Sequence, residues 1–72
     1  MEYSKRLRAA REDADITQRE AGEAVGTTQQ QINKYENGLQ DMSITRLMQF
    51  CKLYNVSADY ILGLPKDSKW PR

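Results

Sequence analysis

Hydrophobic residues recur every three or four positions along most of the chain, a spacing that predicts amphipathic α-helices and no strands. The first such segment covers about residues 4–13, where Leu7 and Ala10 share one face among basic residues. The most regular segment follows the serine at position 43 and has apolar side chains at Ile44, Leu47, Met48, Cys51 and Tyr54. We therefore expect an all-α protein of five short helices, with these apolar faces in its core.

Capping residues delimit the second and third helices. Thr17 and Glu20 fit a capping box, in which each side chain accepts a hydrogen bond from the other residue's amide, so a helix begins directly after Thr17. Gly26 offers the left-handed conformation that ends this helix. Thr28 can cap a third helix over Gln29–Glu36. Two short helices that meet across such a turn predict a helix-turn-helix.

Similar signals divide the carboxyl-terminal half of the chain. Asn37-Gly38 closes the third helix, because both residue types tolerate positive φ. Ser43 can cap a fourth helix that Asn55 ends. Ser57 can cap a fifth helix that runs through Leu62 and that Gly63-Leu64-Pro65 stops. The last four predicted helices therefore each have a recognisable end.

Small and apolar residues within the predicted helix-turn-helix indicate how it packs. Gly22 lies where the two helices would cross most closely, and a large side chain there would separate them. Glycine costs about 1 kcal/mol relative to alanine inside a helix, so its presence suggests a packing reason. We expect one core formed by Leu7, Val25, Ile32, Tyr35, Leu47 and Phe50.

Length and composition bound the remaining possibilities. The 72 residues can form one domain, and we assign residues 1–64 to a helix-turn-helix domain and residues 65–72 to a flexible tail. Cys51 is the only cysteine and there is no histidine, which excludes the usual zinc sites and His-based catalysis. We expect no cofactor, no metal and no small-molecule substrate. The charged amino terminus and the absence of a long apolar run predict no membrane contact and a cytoplasmic location.

The charge balance alone does not identify a nucleic-acid-binding protein. Eleven basic and ten acidic side chains give a formal net charge of +1, and the isoelectric point is near 7.8. A strongly basic domain is the usual electrostatic sign of such a protein. Any role in binding nucleic acid must therefore depend on where the charges and amides lie.

Four stretches of the chain together carry a family resemblance. They are Ile-Thr-Gln-Arg-Glu at 16–20, Gly-Thr-Thr-Gln-Gln-Gln-Ile at 26–32, Tyr-Glu-Asn-Gly at 35–38 and Asn-Val-Ser-Ala-Asp-Tyr-Ile-Leu-Gly at 55–63. Over about residues 4–64, their order and separation resemble the phage repressor and Cro-type helix-turn-helix proteins, also called the lambda-repressor-like or XRE group. The resemblance implies a compact five-helix fold whose second and third helices form the helix-turn-helix. It also implies a sequence-specific DNA-binding transcriptional regulator, a repressor of phage, prophage or bacterial type.

The resemblance assigns the reading of bases to the third helix. Gln29 and Gln30 open the helix that enters the major groove, where a glutamine amide can bond to adenine N6 and N7. Lys34 lies one turn further along the same face and can reach guanine O6 and N7. Thr28 can offer its methyl group to thymine or its hydroxyl to a phosphate. The alternative interpretation of Lys34 is a solvated lysine without a role in binding. The alternative interpretation of the glutamines is a solvated polar surface.

The resemblance assigns phosphate contacts, which position the protein without reading sequence, to three other residues. Gln18 begins the second helix, where free amides and the helix dipole favour an anion, and in the family it also steadies the first reading residue. Asn37 matches a phosphate-contacting position and can equally be a C-cap. Arg11 and Glu36 match a family pair that bridges the first and third helices, so Arg11 would be positioned beside a phosphate.

The connection at residues 39–42 departs from the family, because it lacks the basic residues that several relatives place against phosphates. Asp41 would even repel them. With so weak an electrostatic contribution, specific binding should need two copies on a pseudo-palindromic operator in double-stranded DNA. We expect a weak homodimer through the fifth helix and the residues after it, from the apolar surface of Val56, Tyr60, Leu64 and Trp70. The alternative is that these side chains only close the core over Phe50 and Leu53, which is the favoured interpretation of Val56 and Ile61.

Two other classes of function compete with this interpretation. The same scaffold can serve as a protein-interaction module, such as the antitoxin of a toxin-antitoxin pair. A basic face around Lys5, Arg8, Arg11 and Lys34 favours DNA binding, whereas an exposed apolar patch larger than a dimer needs would favour the interaction module. An enzyme is the weaker alternative, because the acidic residues fit surface or helix-start positions and so short a chain forms no sizeable pocket. We therefore expect a protein that is not an enzyme.

Overall fold

Five α-helices make up the fold in the computed structural model, which describes residues 2–64. They are α1 (Glu2–Asp13), α2 (Gln18–Val25), α3 (Gln29–Glu36), α4 (Ile44–Tyr54) and α5 (Ala58–Leu62). The prediction of five helices is confirmed, and no strand occurs over these residues. None of the helices in this part of the chain has the length and hydropathy needed to span a bilayer. The predicted tail at 65–72 lies outside the described residues.

The predicted N-caps of α2 to α5 are confirmed. In each case the side-chain hydroxyl of the capping residue accepts a hydrogen bond at 3.1 Å from the backbone N–H three residues further on. The capping residues are Thr17, Thr28, Ser43 and Ser57. The capping box of α2 is complete, because the amide of Thr17 also donates to the Glu20 carboxylate at 2.9 Å. These bonds satisfy amides that a helix start otherwise leaves without a partner. Local sequence therefore determines where four of the five helices begin.

Three of the predicted helix ends adopt the left-handed conformation. Gly26, Asn55 and Gly63 have φ of 79°, 55° and 70°. At the end of α3 the positive φ falls on Gly38 alone, at 69°, whereas Asn37 keeps a φ of −104°. Glycine has no Cβ to oppose this conformation, so the turn after α3 uses the residue that adopts it at least cost.

The first helix begins at Glu2, two residues earlier than expected. The reason is a contact with a distant loop, in which the Tyr3 hydroxyl donates to the Asp41 carboxylate at 2.8 Å. Tyr3 also packs against the core. A long-range contact of this kind stabilises the first turn and cannot be read from local spacing.

The core is centred on the aromatic residues of α3 and α4. The rings of Tyr35 and Phe50 meet edge to face at 5.9 Å, and those of Phe50 and Tyr54 stack at 5.6 Å. Four large side chains are fully buried in this core: Leu7, Ile32, Phe50 and Ile61. Because these residues come from four different helices, a single core holds α1, α3, α4 and α5 together.

The predicted apolar face of α4 is wrong at two positions. Ile44 is 78% exposed and Met48 is 54% exposed. The face that packs inward is centred on Phe50 and Tyr54, and at the helical period Met48 lies about 160° from Phe50. Cys51 is half-buried rather than buried, and this burial raises the pKa of its thiol above the ordinary value.

The close approach expected at Gly22 is confirmed. A Cβ at this position would lie 3.0 Å from the carbonyl oxygen of Thr27 and 3.0 Å from the carbonyl carbon of Thr28. Both atoms belong to the backbone that leads into α3. The absence of a side chain at Gly22 therefore lets the two helices of the pair approach each other.

We predict that Gly22→Ala lowers the free energy of unfolding by about 1 to 2 kcal/mol, because overpacking outweighs the better helix propensity of alanine. Urea unfolding followed by circular dichroism measures the change. The control is Ala24→Gly on the exposed side of α2, which should cost about 1 kcal/mol through propensity alone. Stabilisation by Gly22→Ala would contradict the packing explanation.

Candidate nucleic-acid interface

One buried carboxylate joins the three amino-terminal helices. Glu36, the last residue of α3, has a side chain that is only 1% exposed. Its Oε2 accepts a hydrogen bond from Arg11 Nε at 2.7 Å, and its Oε1 accepts one from Arg11 Nη2 at 3.1 Å. The same Oε1 also accepts a bond from the Gln18 side-chain amide at 3.1 Å. Glu36 therefore fixes the first residue of α2 and the end of α3 to the same point on α1.

Arg11 is part of this buried cluster. Its Nη1 donates to the carbonyl of Ile16 at 2.8 Å, and its side chain is 11% exposed. The hydrogen bonds with Glu36 raise the pKa of Arg11 above its ordinary value, so the guanidinium remains charged. Three of the five N–H groups of the guanidinium are used inside the protein. The role of Arg11 as a phosphate contact stays a prediction, and only the remaining N–H groups can serve it.

The predicted base-contacting residues form an exposed surface at the start of α3. Gln29, Gln30 and Lys34 are exposed and line one shallow depression of about 450 Å³, together with Gln18. Thr28 is exposed beside them, and its hydroxyl is used as the cap of α3. The fold therefore brings the three longer side chains together on the face of α3 that is not packed on the core.

The predicted phosphate-contacting residues line a second depression beside the first. It has a volume of about 510 Å³ and its lining includes Arg11, Gln18 and Asn37. Gln18 and Gln29 line both depressions, and the steadying of Gln29 by Gln18 stays a prediction. A ligand that fills both depressions would contact the predicted reading and positioning residues together.

The start of α2 leaves two backbone amides without a partner inside the helix, at residues that line the second depression. The capping box uses the amides of Thr17 and Glu20, whereas the amides of Gln18 and Arg19 lie in the first turn, where no carbonyl of the helix can reach them. The positive end of the helix dipole lies at the same place. The site can therefore stabilise an anion such as a phosphodiester.

Asn37 acts as a C-cap in the free protein. Its backbone amide donates to the carbonyl of Asn33 at 3.0 Å, and its side-chain amide donates to the same carbonyl at 2.9 Å. The capping interpretation is thus confirmed, and the phosphate contact stays a prediction. The side-chain amide would have to give up or share this bond to reach a phosphate.

Sequence reasoning missed several polar residues of this surface. Asn33 is exposed and lines both depressions, one helical turn after Gln29. Arg19 lines the second depression from α2, as does Arg8 from α1, which was expected on the basic face of a DNA-binding protein. The signal for Asn33 was available, because residues four apart on a helix share a face. The place of Arg19 depends on how α2 packs beside α1, which local spacing does not show.

Two further contacts away from this surface support its shape. Asp41, which was expected to repel phosphates, accepts the hydrogen bond from Tyr3, and burial together with this bond raises the pKa of Tyr3 to about 12. Arg46 on α4 donates to the carbonyl of Val25 at 2.5 Å, at the end of α2. The end of α2 and the loop that follows α3 are therefore each tied to another helix by a side-chain hydrogen bond.

The short helices α2 and α3, their glycine turn and the exposed polar face of α3 define a helix-turn-helix protein. A family model described as helix-turn-helix matches residues 7–61. The chain belongs to this family.

Similar proteins carry the same description. The chain is 39% identical over 69 residues to the HTH-type transcriptional regulator ImmR of Bacillus subtilis (strain 168), an alignment that covers 96% of the chain and 54% of ImmR. It is 34% identical over 65 residues to the uncharacterized HTH-type transcriptional regulator YobD of the same organism, covering 90% of the chain and 58% of YobD. The chain thus spans about half the length of these curated relatives.

A solved structure with a similar fold is the P22 c2 repressor protein in complex with a synthetic operator. The TM-score is 0.77 and the sequence identity is 26%, over 85% of this chain and 92% of that one. The expectation of a compact lambda-repressor-like fold is confirmed by this likeness.

We predict that Glu36→Gln lowers the free energy of unfolding by about 3 kcal/mol or more, because it leaves the buried charge of Arg11 without its counter-ion. Thermal or urea unfolding measures the loss of stability. In the extreme case the variant shows no cooperative unfolding transition. The control is Glu23→Gln, which breaks an exposed pair with Arg19 and should change stability by less than about 0.5 kcal/mol. Equal effects of the two changes would show that the Glu36 cluster does not hold the helices together.

Proposed function

We propose that this protein is a sequence-specific transcriptional regulator of the repressor type, which binds double-stranded DNA in the cytoplasm. The observation that carries the proposal is the exposed row of Gln29, Gln30 and Lys34 on a helix whose other side is buried in the core. Membership of the helix-turn-helix family supports it, as does the likeness to a repressor that was solved with its operator. The role is one of binding rather than catalysis.

In this proposal α3 enters the major groove and its side chains read base edges. The amides of Gln29 and Gln30 pair with adenine N6 and N7, and Lys34 contacts guanine further along the half-site. Thr28, whose hydroxyl caps α3, offers its methyl group to a thymine. The exposure of these side chains in the free protein supports this role, because they need no rearrangement of the core to reach DNA.

Gln18, Arg11 and Asn37 hold the phosphate backbone beside the reading helix. Gln18 combines a helix start with a side chain that Glu36 fixes in place, which suits a contact that sets the register on the duplex. Arg11 contributes the N–H groups that Glu36 and Ile16 leave available. Asn37 contributes its side-chain amide from the end of α3.

The test begins with selection of bound sites from random duplex DNA, which should enrich a two-fold symmetric sequence. On the selected site, Gln29→Ala and Lys34→Ala should each lose about 1 to 3 kcal/mol of binding free energy and lose much less on a scrambled duplex. Gln18→Ala should weaken both duplexes nearly equally, since phosphates carry no code. Affinities are compared at one salt concentration, because the phosphate contribution depends on it.

Two outcomes would overturn this assignment. If Gln29→Ala and Lys34→Ala leave the ratio of operator to scrambled affinity unchanged, α3 does not read the sequence. If selection enriches no site at all, the protein-interaction module becomes the better proposal. The variants serve as their own controls, because Gln18→Ala reports loss of positioning without loss of reading.

We further propose that two copies bind a pseudo-palindromic operator as a weak homodimer, with recognition helices about 34 Å apart. Apolar side chains exposed near the carboxyl end support this arrangement: Tyr60, Leu62 and Leu64, with Ile44 and Met48 on α4. Ile61 is fully buried and Val56 is half-buried, so these two contribute mainly to the core. Trp70, which was also expected to contribute, lies outside the described residues.

We predict that Tyr60→Glu weakens binding to the symmetric operator but leaves binding to an isolated half-site unchanged, because it disturbs the contact between copies and not the reading helix. Sedimentation with each duplex gives the number of copies bound. The control is Asp59→Asn, which changes charge at the neighbouring exposed position. One copy per symmetric site at every concentration would remove the dimer from the proposal.

A further inference from the structure

Two exposed arginines flank the depression in which the proposed function places DNA phosphate. Arg8 lines it from α1 and Arg19 from the first turn of α2, together with Gln18 and Asn37. The third arginine of this depression, Arg11, is occupied by the buried Glu36. Because the charge of Glu36 is balanced by Arg11, the positive charge that the depression presents to a ligand comes from Arg8 and Arg19.

Each of these exposed arginines has an acidic partner one helical turn further on. Arg8 Nε lies 3.5 Å from Glu12 Oε2, with side chains 60% and 56% exposed. Arg19 Nε lies 3.4 Å from Glu23 Oε1, with side chains 81% and 70% exposed. Neither Glu12 nor Glu23 lines the depression itself. The carboxylates therefore hold the two arginines from outside the place where a phosphate would bind.

The two exposed pairs are far easier to exchange than the buried pair. Exposed pairs at this spacing in a helix shift an equilibrium by only about twofold, because water screens both charges. A phosphodiester is an equally good acceptor for a guanidinium, and it can be gripped by two parallel N–H groups. An approaching phosphate can therefore replace Glu12 or Glu23, whereas it cannot replace Glu36 without breaking the fold.

We propose that Arg8 and Arg19 are phosphate-binding residues that exchange Glu12 and Glu23 for the DNA backbone, so that these two carboxylates act as built-in competitors of DNA. This inference rests on the proposed DNA-binding function. In the free protein the competitors neutralise the face that would otherwise attract any duplex. In the complex they are displaced from the arginines, and each remains a negative charge next to the depression that holds the phosphate.

The exchange lowers affinity for DNA of every sequence and leaves base reading unchanged. It acts on the contribution that phosphates make, which is the larger part of non-specific binding. The protein therefore has a low affinity for non-specific DNA, even though arginines lie close to the amino-terminal end of α2. Discrimination between sites then depends on α3 rather than on charge.

The test is a double-mutant cycle on Arg19 and Glu23, measured on the selected operator and on a scrambled duplex. Glu23→Gln should raise affinity for both duplexes by about two- to threefold. The change frees Arg19 from its ion pair, and it removes a negative charge that repels the DNA phosphates. Arg19→Ala should lower affinity for both duplexes and reduce the slope of log affinity against log salt by about one. In the Arg19→Ala background, Glu23→Gln should lose most of its benefit.

Asp59→Asn on α5 is the matched control, because it removes one exposed negative charge that lines no part of the depression. Its effect gives the gain expected from net charge alone. Arg8 and Glu12 allow the same cycle on α1. Circular dichroism of each variant checks that the fold is intact.

The proposal is overturned if Glu23→Gln gains no more than Asp59→Asn, or if it gains as much without Arg19 as with it. It is also overturned if Arg19→Ala leaves the salt slope unchanged. Failure of the proposed function gives a different result, in which the parent protein binds neither duplex. Normal preference for the operator together with a flat cycle would reject only the exchange.

Discussion

The hydrogen-bonded carboxylate of Glu36 is the contact on which the arrangement of this surface depends. A buried charge is costly unless it is paired and its lone pairs are satisfied, and here three N–H groups of Arg11 and Gln18 accomplish this. Because those donors lie on α1 and α2, the carboxylate at the end of α3 is satisfied in only one arrangement of the three helices. That arrangement sets Gln18, at the start of α2, beside Gln29, at the start of α3. The hydrogen bonds that the buried Glu36 requires thus fix the positions of the exposed side chains at the starts of α2 and α3.

Close packing at Gly22 and a hydrogen bond from the Arg46 side chain also hold the helix pair α2 and α3 in place. Gly22 lets the backbone at Thr28 approach α2 closely. Arg46 on α4 then bonds to the carbonyl of Val25, one of those that the end of α2 cannot satisfy itself. The short helices α2 and α3 would be marginal alone, since isolated helices of this length are unstable in water. Their stability comes from these contacts and from the shared aromatic core.

Local chemistry explains what could be predicted from the sequence. The caps at Thr17 and Thr28 depend on residues within three positions, so the limits of α2 and α3 were predictable. The pair of Arg11 and Glu36 followed only from the family resemblance, because the two residues are far apart in the chain. The contact between Tyr3 and Asp41 and the exposure of Ile44 depend on how helices pack. Apolar spacing gives the angular width of a hydrophobic face but not its centre, which on α4 is set by contacts of Phe50 with other helices.

A nearly neutral domain suits the proposed function, in which the protein must find one sequence among many. Non-specific affinity grows with every phosphate contact, and the genome offers a very large number of competing sites, so extra positive charge raises occupancy of the wrong sites as well as the right one. The net charge of +1 limits this contribution for the whole chain. On the surface around α2, i,i+4 ion pairs limit it locally. In the proposed function, affinity for the right site then comes from base contacts and from two copies acting together, and both require the predicted reading side chains to be held in a fixed position. The buried charge of Glu36 and the balanced charge of the surface would act together there, because rigid placement of α3 lets specificity be reached without strong electrostatic attraction.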